Sequence, residues 1–171
     1  MKLSIYLILG YLMIGFHPTA FAQTNSLELL KPLEGKWSGS GWISLPDRTV
    51  VKFNQTEDIQ FKLNNNIVLI NGKGKDITGK TPDFEAYAII YAEAPGVLKM
   101  SAHTMEGEHT LADLTLEPGI MTWWFKVPNG GTVKYSTTFT DTTWTEKGNY
   151  SPDGQQWFPF FEMTLKKDGK P

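Results

Sequence analysis

From Val50 to Leu63 apolar and polar side chains alternate. Val51, Phe53, Ile59, Phe61 and Leu63 share one face with Gln55 and Glu57, and Val50, Lys52, Asn54, Thr56, Asp58, Gln60 and Lys62 share the other. A period of two marks a half-buried β-strand. A polar side chain on the core-facing stripe must find a partner or it costs free energy. Gln55 and Glu57 therefore stand out as candidate functional groups.

The same pattern recurs along the chain. Runs rich in β-branched and aromatic residues occupy 37–45, 49–63, 67–73, 84–92, 97–105, 110–116, 120–127, 132–140, 143–150 and 156–166. Turn signals separate them, among them Pro46-Asp47, Asn64-Asn65-Asn66, Pro95-Gly96, Glu106-Gly107, Pro118-Gly119 and Pro152-Asp153-Gly154. No helix-length periodic segment intervenes, so the connections are hairpins and the sheet is an antiparallel meander. Ten strands in a meander remove their exposed edges by closing on themselves. The fold class predicted is all-β: a closed antiparallel up-and-down β-barrel of about ten strands with a short N-terminal helix. That helix is placed at Ser26 to Lys31, with Ser26 as its cap and Pro32 ending it. Its Leu27, Leu29 and Leu30 can plug one mouth of the barrel.

Ahead of this domain, Lys2 precedes an apolar run from Leu3 to Phe16 and then Ala20-Phe21-Ala22. The arrangement predicts a secretory signal peptide over residues 1–22, cleaved after Ala22, and a single domain over 23–171. The expected location is the periplasm or the medium. The run is too short for a comfortable helical membrane span, and no other stretch qualifies. The sequence contains no cysteine, which excludes a lipid-modified cysteine, a disulfide, a thiol nucleophile and a cysteine zinc site. A formal net charge of −2 and the lack of any basic cluster exclude nucleic acid as the expected partner.

The six tryptophans change the picture. Burying apolar positions puts Trp37, Phe53, Phe61, Trp124, Tyr135, Trp144, Trp157, Phe161 and Met163 inside the barrel. Small residues face them from other strands: Ala86, Ala88, Ala102, Thr104, Thr110 and Ala112. Such a contrast fills a tapering barrel, but ten strands enclose more space than eight, and the expectation is a cavity. Gln55, Glu57 and Glu146 are the polar groups on the inner face and would orient a mostly apolar ligand. A carboxyl group held there without a cation has its pKa raised and can donate a hydrogen bond or carry a proton. The predicted ligand-binding set is Phe53, Gln55, Glu57, Trp124, Tyr135, Trp144 and Glu146, with no catalytic residue assigned.

Two further features bear on function. His103, Glu106, Glu108 and His109 flank or form one hairpin and carry metal-ligand chemistry, although carboxylates at a turn tip are ordinarily just solvated, so no metal is expected. No nucleophile-elbow pattern appears. Met121, Trp123, Phe125, Phe158 and Phe160 then fall on the outer face, which is covered either by the segment from Leu27 to Leu33 or by a second copy of the chain, making a homodimer.

At Leu33-Glu34-Gly35-Lys36-Trp37-Ser38-Gly39 the opening of the first strand resembles the G-x-W signature of the lipocalins and their calycin relatives. Phe53 to Phe61, 144–148 and 160–165 resemble strands of small exported bacterial lipocalin-like proteins and, more distantly, of nitrobindin-like haem barrels. The resemblance spans nearly all of 23–171 and implies a ten-stranded barrel with a small-molecule cavity. Nitrobindin-like barrels hold haem through a late histidine, whereas no histidine follows His109, so no cofactor is expected. The function expected is an exported barrel that binds a small apolar or amphipathic molecule. The alternatives are a barrel isomerase or hydrolase using an interior glutamate, and an envelope interaction protein with a filled barrel.

Overall fold

The computed structural model describes residues 26–128 and 130–169. The expected signal peptide, residues 1–22, lies outside the described residues. Ten strands follow one another: β1 (Gly35–Ser44), β2 (Val50–Lys62), β3 (Ile67–Asp76), β4 (Phe84–Ala94), β5 (Val97–Thr104), β6 (His109–Glu117), β7 (Ile120–Lys126), β8 (Thr132–Phe139), β9 (Thr143–Ser151) and β10 (Phe158–Lys167). Each pairs antiparallel with its successor, and β10 returns to β1 to close the barrel. Closure leaves no strand edge unpaired among the described residues, which is why the meander is stable as a single layer. Among the described residues no helix is long and apolar enough to cross a membrane.

One end of the barrel is sealed. Ser26–Leu33 forms a 3-10 helix whose buried residues are Leu27, Leu30 and Leu33. Three residues per turn put these leucines on one line. The apolar line thus runs through Pro32 to Leu33, past the stop expected at Lys31, and Leu29 stays only half-buried. The leucines join Trp37, Ile59, Val68, Ile90, Leu98, Leu114 and Leu165 in the core. The segment therefore plugs the barrel rather than covering its outer wall. Trp37 Nε1 donates to the Leu33 carbonyl at 2.7 Å, and Lys167 Nζ donates to that of Pro32 at 2.7 Å. These bonds tie the plug to the first and last strands.

The opposite end carries the β1–β2, β3–β4, β5–β6, β7–β8 and β9–β10 loops and stays open. Strand β2 follows its expected alternation over its length, with Val51, Phe53, Gln55, Glu57 and Ile59 buried. Strand β10 does not. Its register against β9 shifts between Pro159 and Phe161, a bulge that leaves Phe160 without a partner directly after the one residue of the strand that cannot donate to the ladder. As a result Phe160 and Phe161 both pack against Tyr135, and Trp157 leaves the inner face. Lys134 Nζ lies 4.0 Å from the Trp157 ring centre on the outside. The expectation that Trp157 points inward is corrected: a single extra residue in β10 reverses the face of the residues ahead of it, including Trp157 just before the strand begins.

Candidate ligand-binding site

Above the plugged core the barrel is hollow, with a cavity of about 570 Å³ that reaches the open end. This volume falls in the usual range for small-molecule sites. It exists because the two sides of the barrel carry side chains of different size. Trp123 on β7 and Tyr135 on β8 stack 4.0 Å apart and nearly parallel. Phe161 meets Tyr135 edge-on at 5.6 Å, and Phe53 stacks on Phe161 at 5.7 Å. Across the barrel, β4 and β5 present Ala86, Ala88 and Ala102. A filled barrel is thereby ruled out.

The polar groups inside are few and specific. Gln55 Nε2 donates to Glu57 Oε1 at 2.8 Å. Both side chains lie over β3, where a Cβ at Gly72 would sit 2.7 and 2.8 Å from the two Glu57 oxygens and one at Gly74 would sit 2.8 Å from Gln55 Oε1. Two glycines inside a strand weaken it, and here they create the space the amide and carboxyl occupy. Glu146 is held differently. Its Oε2 accepts from Thr137 Oγ1 at 2.6 Å and from Trp123 Nε1 at 3.4 Å.

Burial raises the Glu57 pKa to about 8, against the lowering effect of the Gln55 amide and with the charge of Glu146 adding to the rise. Burial likewise raises Glu146, opposed by its bonds from Thr137 and Trp123. Removal from water disfavours a charged carboxylate unless a cation accompanies it. Among the described residues no lysine or arginine lines the cavity.

Three buried polar atoms have no hydrogen-bond partner among the described residues: Glu57 Oε2, Thr104 Oγ1 and Trp144 Nε1. All three residues line the cavity. Buried polar groups are normally satisfied, so three exceptions around one space call for a physical reason.

Of the predicted set, Phe53, Gln55, Glu57, Tyr135, Trp144 and Glu146 are brought together around the cavity, and Trp124 is not. Strand β7 pairs Trp124 with Asp113 and Lys134, whereas Trp123 pairs with buried Leu114 and with Tyr135. Met121, Trp123 and Phe125 therefore line the interior, and Trp124 takes the outer face. The run from Ile120 to Phe125 is apolar on both faces, so alternation alone did not choose. Thr122 and Lys126, which share the face of Trp124, carried the signal.

Trp37 and Phe61 lie in or against the plugged core, below the cavity. His103 and His109 stack at 4.6 Å on the outside, both within hydrogen-bond distance of Ser101 Oγ. Glu106 and Glu108 line the mouth instead. The hairpin thus divides its histidines from its carboxylates, and no group of three potential metal ligands converges among the described residues.

No protein-family model and no curated protein matches the sequence. Solved structures do match in fold. The crystal structure of Rv2717c from M. tuberculosis aligns with a TM-score of 0.62 at 11% identity, over 84% of this chain and 97% of that one. The S-type phycobiliprotein lyase CPES from Guillardia theta aligns with a TM-score of 0.59 at 8% identity, over 84% and 92%. The chain shares the fold of these structures, a closed antiparallel barrel of the kind that the G-x-W segment implied.

Proposed function

We propose that this protein is an exported binding barrel for a small, mainly apolar molecule taken into the cavity from the open end. The observation that carries the reading is the coincidence of an aromatic-walled cavity with three lining residues that each hold a buried polar atom without a partner among the described residues. An apolar body is accepted by Trp123, Tyr135, Phe161 and Phe53, and the few polar groups set its orientation. Export is supported by the leader pattern of Lys2, the apolar run and Ala20-Phe21-Ala22.

The test uses N-phenyl-1-naphthylamine, a neutral fluorescent probe whose emission rises in apolar surroundings. The wild type is expected to bind it at micromolar concentration. Ala102→Trp, which fills the cavity, is expected to weaken binding at least about tenfold. Equal binding by the folded variant refutes the reading. Native mass spectrometry of protein purified from its own source is the companion measurement, with a co-purifying small molecule expected.

A second reading starts from the buried Glu57 carboxyl group, one oxygen of which has no partner among the described residues. With its pKa at about 8, Glu57 exchanges its proton near neutral pH, as a general acid or base must. In an isomerase or hydrolase built on this group Glu57→Gln abolishes turnover, whereas in a binding barrel it changes affinity alone.

A further inference from the structure

We infer that the ligand is a cationic amine with an aromatic body, its ammonium group seated against Glu57 and Glu146 and an oxygen of its body accepting from Trp144 Nε1. This deepens the binding reading and rests on it.

The charges on the cavity wall carry the inference. Glu57, Asp76, Asp83, Glu106, Glu108 and Glu146 line it, with no basic side chain among the described residues to offset them. Asp76 is occupied in shaping its own loop, accepting from the backbone of Thr78, Lys80 and Thr81. The nearest lysine of that loop, Lys80, reaches out to the Val50 carbonyl at the rim. Asp83, Glu106 and Glu108 stay exposed at the mouth, where one sign of charge draws in cations and repels anions.

Deeper in, the demand is more specific. Glu57 Oε2 is buried and unpartnered, although the Glu57 residue is only 8% exposed. A buried carboxyl with a free oxygen is satisfied either by accepting from a donor or by staying protonated, and an ammonium group satisfies two carboxylates at once. The stacked Trp123 and Tyr135 rings beside Glu146 offer π faces that also attract a cation. Trp144 Nε1 can only donate, so the same ligand must present an acceptor. A simple alkylammonium lacks one. An amine on an aromatic body bearing a hydroxyl or carbonyl oxygen meets every requirement.

A carboxyl group that is neutral in the empty barrel gives up its proton to the solvent when the ammonium arrives, so binding at neutral pH is accompanied by proton release.

The experiment compares three probes by calorimetry at pH 7. These are 5-hydroxytryptamine, its neutral N-acetyl derivative, and the anion 5-hydroxyindole-3-acetate. The amine is expected to bind at least about 30-fold more tightly than the acetyl derivative, with the anion weakest, and to release protons in buffers of differing ionisation enthalpy. E57Q/E146Q, checked for cooperative unfolding, is expected to erase that preference while retaining the acetyl derivative. If the double variant does not fold, each single Gln variant serves, with an expected loss of about tenfold for the amine.

Equal or tighter binding of the neutral or anionic probe overturns the amine assignment. Failure of all three while N-phenyl-1-naphthylamine still binds overturns it too, and leaves the cavity reading intact. Failure of that neutral probe as well removes both.

Discussion

Gln55 Nε2 donates to Glu57 Oε1 at 2.8 Å, joining two side chains that stand two residues apart on the same face of β2. The bond fixes one carboxyl oxygen and leaves the other unpartnered. Both groups occupy room vacated by Gly72 and Gly74, so the polar part of the site depends on four positions, two on β2 and two on β3.

Gly72→Ala places a methyl group against both Glu57 oxygens. The expected outcome is destabilisation of about 1–3 kcal/mol in urea unfolding, the usual range for overpacking, with weakened probe binding. Adding Glu57→Ala to the same chain should recover part of the stability, since the obstructed group is gone. A double variant no more stable than the sum of its parts predicts would contradict the contact.

Glu57 titrates at about 8 in the folded barrel, against a reference value of 4.5. Between those values the folded state holds the proton and the unfolded state does not, so stability falls as pH rises through that window. The contribution is on the order of several kcal/mol at about 1.4 kcal/mol for each pKa unit. Urea midpoints at pH 5.5 and 9 should therefore differ in the wild type, the lower pH being the more stable. Glu57→Gln should flatten the difference, with a residual slope of the same sign from Glu146, whose pKa is also raised.

Adjacent tryptophans on β7 have opposite surroundings. Trp123→Phe removes the 3.4 Å contact with Glu146 and alters the stack on Tyr135, and it should weaken probe binding by about tenfold. Trp124→Phe lies outside and should leave affinity unchanged. Fluorescence titration of the two variants side by side decides the inward residue.

Leu30→Ala hollows the plug at the closed end, where Leu30 is fully buried. A loss of about 2–5 kcal/mol is expected. Probe affinity in the folded fraction should hardly change, because the plug and the cavity lie at different levels of the barrel.

Alternation and turn residues were enough to lay out the sheet. Each expected strand, from Trp37–Leu45 to Gln156–Lys166, lies within a few residues of an observed one, because side chains on a pleated strand repeat with period two and Gly, Pro and Asn mark the reversals. Glu57 and Glu146 were legible for the same reason: each interrupts an apolar face. Trp124 and Trp157 were misplaced where that signal degenerates. Strand β7 is apolar on both sides, and β10 carries a bulge that resets its parity after Pro159.

The chain's own pattern determined a meander of ten strands, a leucine segment ahead of it and an aromatic interior broken by carboxyl groups. These are local consequences of spacing and side-chain type. Only the closed barrel decided which carboxylates share one cavity, that Gly72 and Gly74 yield their space to Gln55 and Glu57, and that Trp144, a residue of the cavity lining, keeps its Nε1 buried without a partner. Those relations join residues far apart in the chain, and their geometry comes from the register and curvature of the assembled sheet, which no single strand encodes.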